Sequence, residues 1–230
     1  MTATEIMEMM NKADCKNGVI FENLIRGNLI FRQHNKIMVS ISGGSDSDIV
    51  LDICEKIKGD KEVEYVWFDT GVEYQATKDH LEYLEERYGI EIKRIKAIKS
   101  IPTCVREYGQ PFLSKFISET MERLQAHGFD WTDMTYEEMI EKFPDCKSGV
   151  MWWCNSYVLQ DNYKKSMFNI NRIRYLKEFI IENPPQFKIS AKCCTYAKKK
   201  VSNDYRKKND FDLSVIGVRK LEGGGAVSGL

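Results

Sequence analysis

Lys36-Ile-Met-Val-Ser-Ile-Ser-Gly-Gly-Ser-Asp-Ser47 decides the fold. Its first half is a short apolar run with β-branched members, the composition of a buried strand. Ser42-Gly-Gly-Ser-Asp-Ser47 follows at once. Ser47–Lys58 then carries Ile49, Val50, Ile53, Cys54 and Ile57 on one side, with Gly59 as a stop. That is a helix. The glycine turn therefore lies where a strand hands over to a helix. Two glycines remove the Cβ atoms that would hold an anion away from backbone N–H groups. The helix start points its unpaired N–H groups and positive dipole end at the same spot. Ser40, Ser42, Ser45 and Ser47 add hydroxyl donors. The competing reading is a tight turn with a Ser or Asp helix cap. The strand–loop–helix context favours the phosphate cradle.

The same alternation continues outward. Val63–Phe68 reads as a second buried strand, Glu73–Tyr88 as a helix, and Ile90–Ile98 as a third, less buried strand. Strands alternating with helices imply a parallel sheet with right-handed crossovers. Upstream, Thr4–Ala13 and Ile20–Gln33 read as amphipathic helices. After Ile98 the alternation stops, and helices are expected at Phe112–Ala126, Thr135–Lys142, Asn171–Ile181 and Ala191–Lys208. Leu213–Val218 is the last buried strand. The expected organisation is an N-terminal helical pair (1–35), an α/β core (36–100), a helical insertion (101–186) and the end of the core (187–230).

The chain has 34 basic and 34 acidic residues, a balance that argues against a nucleic-acid-coating protein. Lys188, Lys192, Lys198, Lys199, Lys200, Arg206, Lys207 and Lys208 read as a solvated helix face rather than an RNA contact. No apolar run approaches the ~20 residues a bilayer needs, and the first residues lack the pattern of a secretory signal. With seven scattered cysteines, a reducing cytoplasm is the expected compartment. Core packing is the expected use of Cys15, Cys54 and Cys104. Met151-Trp-Trp-Cys154 reads as a packing cluster, and His34, His80 and His127 show no ligand spacing.

Ser42–Ser47 resembles the Ser-Gly-Gly-x-Asp-Ser signature of PP-loop nucleotide-binding proteins. Within that group the chain looks like a member of the phosphoadenylyl-sulfate (PAPS) reductase family. Trp67-Phe-Asp-Thr-Gly71 with Glu73 is similar to its strand-ending turn, and Ile216-Gly-Val-Arg219 with Glu222 to its Gly-x-Arg-x-x-Glu segment. The resemblance implies a doubly wound, mainly parallel five-stranded sheet with an adenine nucleotide on its carboxyl edge. The nucleotide would be ATP or a sulfonucleotide (PAPS or APS). Ser40, Ser42, Gly43, Gly44, Ser45, Asp46 and Ser47 would hold its phosphate or sulfate end. Asp69, Thr70 and Gly71 would line the neighbouring turn, and Gly217 would let the nucleotide approach. Arg219 would pair with its charge, as suits a planar guanidinium fork. Asp46 and Arg219 are the candidate catalytic residues. Asp46 either bridges to Mg²⁺ or caps the helix.

Cys193-Cys194 lie among lysines, which should depress their pKa and favour metal ligation. They resemble the paired-cysteine segment that supplies half the ligands of a [4Fe–4S] cluster in adenylyl-sulfate reductases. No cysteine follows Cys194, and Ala197-Lys198 stands where that family has Arg-Lys. Cys146 and Cys154 are poor candidates for completing the set. The expected function is therefore reduction of a sulfonucleotide to sulfite, or adenylation at the α-phosphate of ATP with pyrophosphate release. The absence of a convincing nucleophilic thiol favours the second. The alternative is a nucleotide-binding remnant or subunit that stops before the C-terminal cysteines. A homo-oligomer, a thiol reductant or a partner subunit stays open as partner.

Overall fold

The computed structural model describes residues 3–12, 18–158, 166 and 168–218. The chain divides into two compact units, Met1–Ser100 with Tyr196–Leu230, and Ile101–Thr195. In the first unit α1 (Ala3–Lys12) and α2 (Gly18–Arg32) precede β1 (Lys36–Ser40), α3 (Ser45–Ile57), β2 (Glu62–Asp69), α4 (Gln75–Tyr88) and β3 (Ile92–Lys96). The second unit contains α5 (Ile101–Tyr108), α6 (Lys115–Ala126), α7 (Tyr136–Lys142), α8 (Lys147–Trp153), α9 (Leu176–Glu182) and the short α10 (Lys192–Cys194). A π-helical turn, Thr195–Lys199, leads to α11 (Lys200–Lys208) and β4 (Leu213–Ile216), back in the first unit.

The sheet of the first unit is parallel throughout, in the order β3-β2-β1-β4. Alternation of side chains along a strand explains how both faces are buried. Ile37, Val39 and Ile41 point into one cluster with Tyr65, Trp67, Leu51, Leu81 and Leu84. Met38 and Val66 point the other way, into a smaller cluster with Phe211 against which Tyr205 of α11 packs. The fold is thus doubly wound α/β. The four strands legible from periodicity are the four strands among the described residues; the fifth that the resemblance implied is not among them.

The second unit has its own aromatic core. Phe129, Trp131, Phe143, Trp152 and Trp153 pack together, with the Phe129 and Trp153 rings 5.6 Å apart. The Trp153 indole N–H donates to the Thr132 carbonyl at 2.8 Å, which satisfies its one polar atom. Gly149 lets α8 lie against α6: a Cβ there would meet Leu124 Cδ2 at 2.8 Å. α5 and α8 were not legible in the sequence. The helix expected over Asn171–Ile181 starts only at Leu176, because Tyr175 takes a left-handed conformation with φ +64. The single helix expected over Ala191–Lys208 is interrupted by the π turn.

β2 ends in a turn that is closed by one carboxylate. Glu73 accepts from the N–H groups of Thr70, Gly71 and Val72 at 3.0–3.1 Å and from the Thr70 hydroxyl. This use of Glu73 explains why α4 begins at Gln75 rather than at the expected Glu73. Burial raises the Glu73 pKa, but the Thr70 hydrogen bonds outweigh it and bring the group to about 2 from its ordinary 4.5. A carboxylate depressed by folding stabilises above its unfolded pKa, and that stabilisation is lost as pH falls through the folded value. Wild-type protein should therefore lose about 1–2 kcal/mol between pH ~5 and ~2 from this group, with allowance for solvent screening. Glu73→Gln should flatten that part of the pH–stability curve measured by urea unfolding. An unchanged curve contradicts the clamp.

The Cys54 thiol, buried inside α3, is pushed up to about 12 by desolvation and then by the Glu55 charge. Iodoacetamide at pH 8 should leave Cys54 unmodified in the native protein and label it only after denaturation, as read by peptide mass spectrometry. Labelling at the rate of an exposed thiol would contradict its placement.

Candidate functional site

The order β3-β2-β1-β4 puts the first strand inside the sheet, with the chain running outward on one side through β2 and β3 and returning on the other as β4. β1 is followed by β2 on one side and has β4, reached from β3, on the other, so the strand order reverses beside β1 and the loops there open a crevice at the carboxyl ends of the strands. A cavity of about 470 Å³ lies there, a size typical of small-molecule sites. Ser40, Ile41 and Ser42 come from β1 and its turn, Trp67, Phe68 and Thr70 from β2 and its turn, and Ile216 and Gly217 from the end of β4 and the residue after it. Lys198, Lys199 and Ser202 line the same cavity.

The glycine turn is built by Ser47. Its buried hydroxyl donates to the Gly44 carbonyl at 2.7 Å and accepts from the Gly44 N–H at 3.3 Å, and the Ser42 hydroxyl donates to it at 3.1 Å. The Gly44 carbonyl also accepts from the N–H groups of Ser47 and Asp48. This leaves the N–H groups of Ser42, Gly43 and Ser45 without a hydrogen-bond acceptor among the described residues. Gly43 has φ +75, and a Cβ there would sit 2.7 Å from Thr77 Cγ2. Glycine is required here twice over, by conformation and by the approach of α4.

The second turn is electrically the opposite. Its N–H groups at Thr70, Gly71 and Val72 are already occupied by the Glu73 carboxylate, and Gly71 also donates to Asp69 Oδ1 at 2.9 Å. An internal anion fills the nest that an external one would need. The open N–H groups of the two turns are therefore those of the first turn, among the described residues.

Of the residues expected at the site, Ser40, Ser42, Ser47, Thr70 and Gly217 line the cavity. Gly43, Gly44, Ser45 and Asp46 form the adjoining turn and first helical turn, and Asp69 and Gly71 the turn after β2. Asp46 is half-buried and is not among the cavity-lining residues. Gly217, which lines the cavity, also meets a packing constraint. A Cβ there would come within 3.0–3.1 Å of the Asp46 carbonyl and the Ser47 nitrogen, so its glycine lets β4 lie against the start of α3. Arg219 and Glu222 lie outside the described residues.

Cys193 and Cys194 belong to the second unit. The expected depression of their pKa is not found for Cys193. Burial pushes its thiol up, and the neighbouring Cys194 and Cys104 sulfurs add to the shift. The lysines do not reverse this because their ammonium groups sit elsewhere: Lys192 pairs with Glu122 at 3.4 Å and lies over the Tyr108 ring. Cys193 and Cys194 offer two of the four thiolates that a [4Fe–4S] cluster takes. Among the described residues no group of three or more His, Cys, Asp or Glu side chains is arranged to hold a metal.

Lys198 and Lys199 are the functional candidates that sequence reasoning missed. They were assigned to a solvated helix face. The signal was present as the run Lys198-Lys-Lys200 after the paired cysteines, but helical periodicity does not tell which lysine faces the cavity. The π turn changes the phase of the helix at this point, and such turns recur at functional sites. Lys198 has no carboxylate partner among the described residues.

Comparison with known proteins agrees with this geometry. Residues 36–126 match the phosphoadenosine phosphosulfate reductase domain. The chain is also similar to MJ0066 of Methanocaldococcus jannaschii, an uncharacterized protein, at 35% identity over 100 residues. That alignment covers 37% of this chain and 20% of the relative, so the chain spans about one fifth of the length of the curated protein it matches. The matched segment runs from β1, through the glycine turn and the Glu73-clamped turn, to the end of α6. On that match, and on a parallel sheet whose glycine turn follows its first strand, residues 36–126 are similar to the phosphoadenosine phosphosulfate reductase domain.

Proposed function

We propose that the first unit binds an adenine nucleotide in the 470 Å³ cavity and supports displacement at its α-phosphate. The observation that carries this reading is the set of N–H groups at Ser42, Gly43 and Ser45 that have no acceptor among the described residues, at the rim of a cavity that Lys198 and Lys199 also line. N–H groups at a helix start and two ammonium groups favour a phosphate chain. Ile41, Trp67, Phe68 and Ile216 supply the apolar wall that a purine requires. Because Glu73 fills the second turn, the base and ribose lie toward β2 and the anionic end toward the glycine turn.

No cysteine lines the cavity among the described residues, so the attacking group comes from a second substrate. In adenylation, a lone pair of the acceptor forms a bond to the α-phosphorus. The bond to the bridging oxygen breaks, pyrophosphate leaves with the electron pair, and the acceptor gives its proton to solvent. The N–H groups and lysines stabilise the charge that accumulates on the departing pyrophosphate.

The family match favours a second reading, in which the nucleotide is a sulfonucleotide. A thiolate from an external dithiol would attack sulfur, and the nucleotide would leave as its phosphate. The second thiol would then release sulfite and close a disulfide, so the dithiol is oxidised as the sulfur is reduced.

Both readings require the same anion site. Lys198→Ala and Lys199→Ala should each weaken ATP binding about tenfold at low salt, and less at 0.5 M salt, by isothermal titration calorimetry. Gly43→Ala should abolish binding. Wild-type affinities unaltered by any of the three sink the assignment. With an amine or carboxylate acceptor present, pyrophosphate release from ATP supports the first reading. Sulfite from PAPS with a dithiol supports the second, and tight binding without either product identifies a binding protein.

A further inference from the structure

The first turn of α3 carries two carboxylates, Asp46 and Asp48, at the place where an incoming anion is to settle. A carboxylate there draws on the same helix dipole as the ligand and repels it. Asp48 is built into the turn, since its N–H donates to the Gly44 carbonyl at 3.2 Å. Among the described residues its side chain is held by one group: Asp48 Oδ2 lies 2.7 Å from His80 Nε2, and Oδ1 is buried with no hydrogen-bond partner there. An ionised carboxylate only accepts, so His80 Nε2 is the donor.

Asp52, one turn further along α3, is treated differently. It has the Tyr88 hydroxyl at 3.1 Å and the Lys56 ammonium, while Asp48 depends on His80. His80 is itself fixed. Its ring stacks on Tyr83 with centroids 5.8 Å apart, and it follows by one turn Thr77, the α4 side chain that packs on Gly43. α4 thus touches the anion turn at two points, once by packing and once by a charge-assisted hydrogen bond.

We propose that His80 is a positioning residue for the anion end of the site, holding the Asp48 carboxylate on α4 and offsetting its charge so that the open N–H groups accept a second anion. The inference rests on the nucleotide reading of that site. It makes Asp48 the liability and His80 its remedy, a relation that a merely structural contact would not have.

The test is calorimetry on the full chain with ATP, pyrophosphate and adenosine as probes. His80→Leu should weaken ATP and pyrophosphate about tenfold and leave adenosine unchanged. His80→Gln, which keeps an N–H donor of similar reach, should recover most of the loss. Asp48→Asn alone should bind pyrophosphate at least as tightly as wild type, and adding it to His80→Leu should restore affinity. Pyrophosphate binding equal in wild type and His80→Leu overturns the proposal. So does an Asp48→Asn variant weaker than wild type, an arm that stands even if the leucine variant does not fold. Wild-type protein that binds none of the three probes overturns the nucleotide reading itself, and with it the role of His80.

Discussion

The candidate site depends on three main-chain N–H groups that find no acceptor among the described residues. A helix cannot satisfy its first donors internally, and a capping side chain normally takes them. Here the N-cap is Gly44, which has no side chain to offer, and Ser47 at the third helical position turns its hydroxyl back onto Gly44. The turn is therefore held in shape by its own hydrogen bonds, and the N–H groups of Ser42, Gly43 and Ser45 have no acceptor among the described residues. This matters because a donor array that is already aligned loses little entropy when an anion arrives.

The surrounding elements serve that arrangement. The parallel sheet places β1 at the position where crossovers diverge, so the turn opens into a crevice rather than onto a packed surface. Two close approaches hold the turn in place: Thr77 against Gly43 on one side and Gly217 against the start of α3 on the other. The turn after β2 closes on its own carboxylate. Two turns of similar appearance at adjacent strand ends thereby acquire opposite electrostatic character, and this gives the cavity a direction.

Charge of both signs lies near the site. Lys198 and Lys199 bring positive charge from the chain's last third, and Asp46 and Asp48 bring negative charge from α3. The His80–Asp48 bond sits between these tendencies. The thiols stand apart from this chemistry. Cys54 is buried in the core of the first unit, and Cys193 is raised by burial, so neither is poised as a thiolate.

The sequence by itself determined the alternation of strands and helices through β3, the glycine turn and its polarity, and the last strand. Those features rest on local rules: apolar period, the conformational freedom of glycine, and the unpaired donors of a helix start. It misjudged elements whose outcome depends on distant partners. Asn171–Ile181 has helical spacing, but Tyr175 takes a left-handed conformation and delays the helix. Glu73 has the propensity to open α4, but serves the preceding turn instead. The lysines at 198 and 199 read as a solvated face because the π turn that sets their direction has no signature in composition. Only the tertiary structure decided which side chains meet at the cavity, because burial and charge pairing are properties of segments brought together from far along the chain. His80 and Asp48, thirty-two residues apart, are the clearest instance.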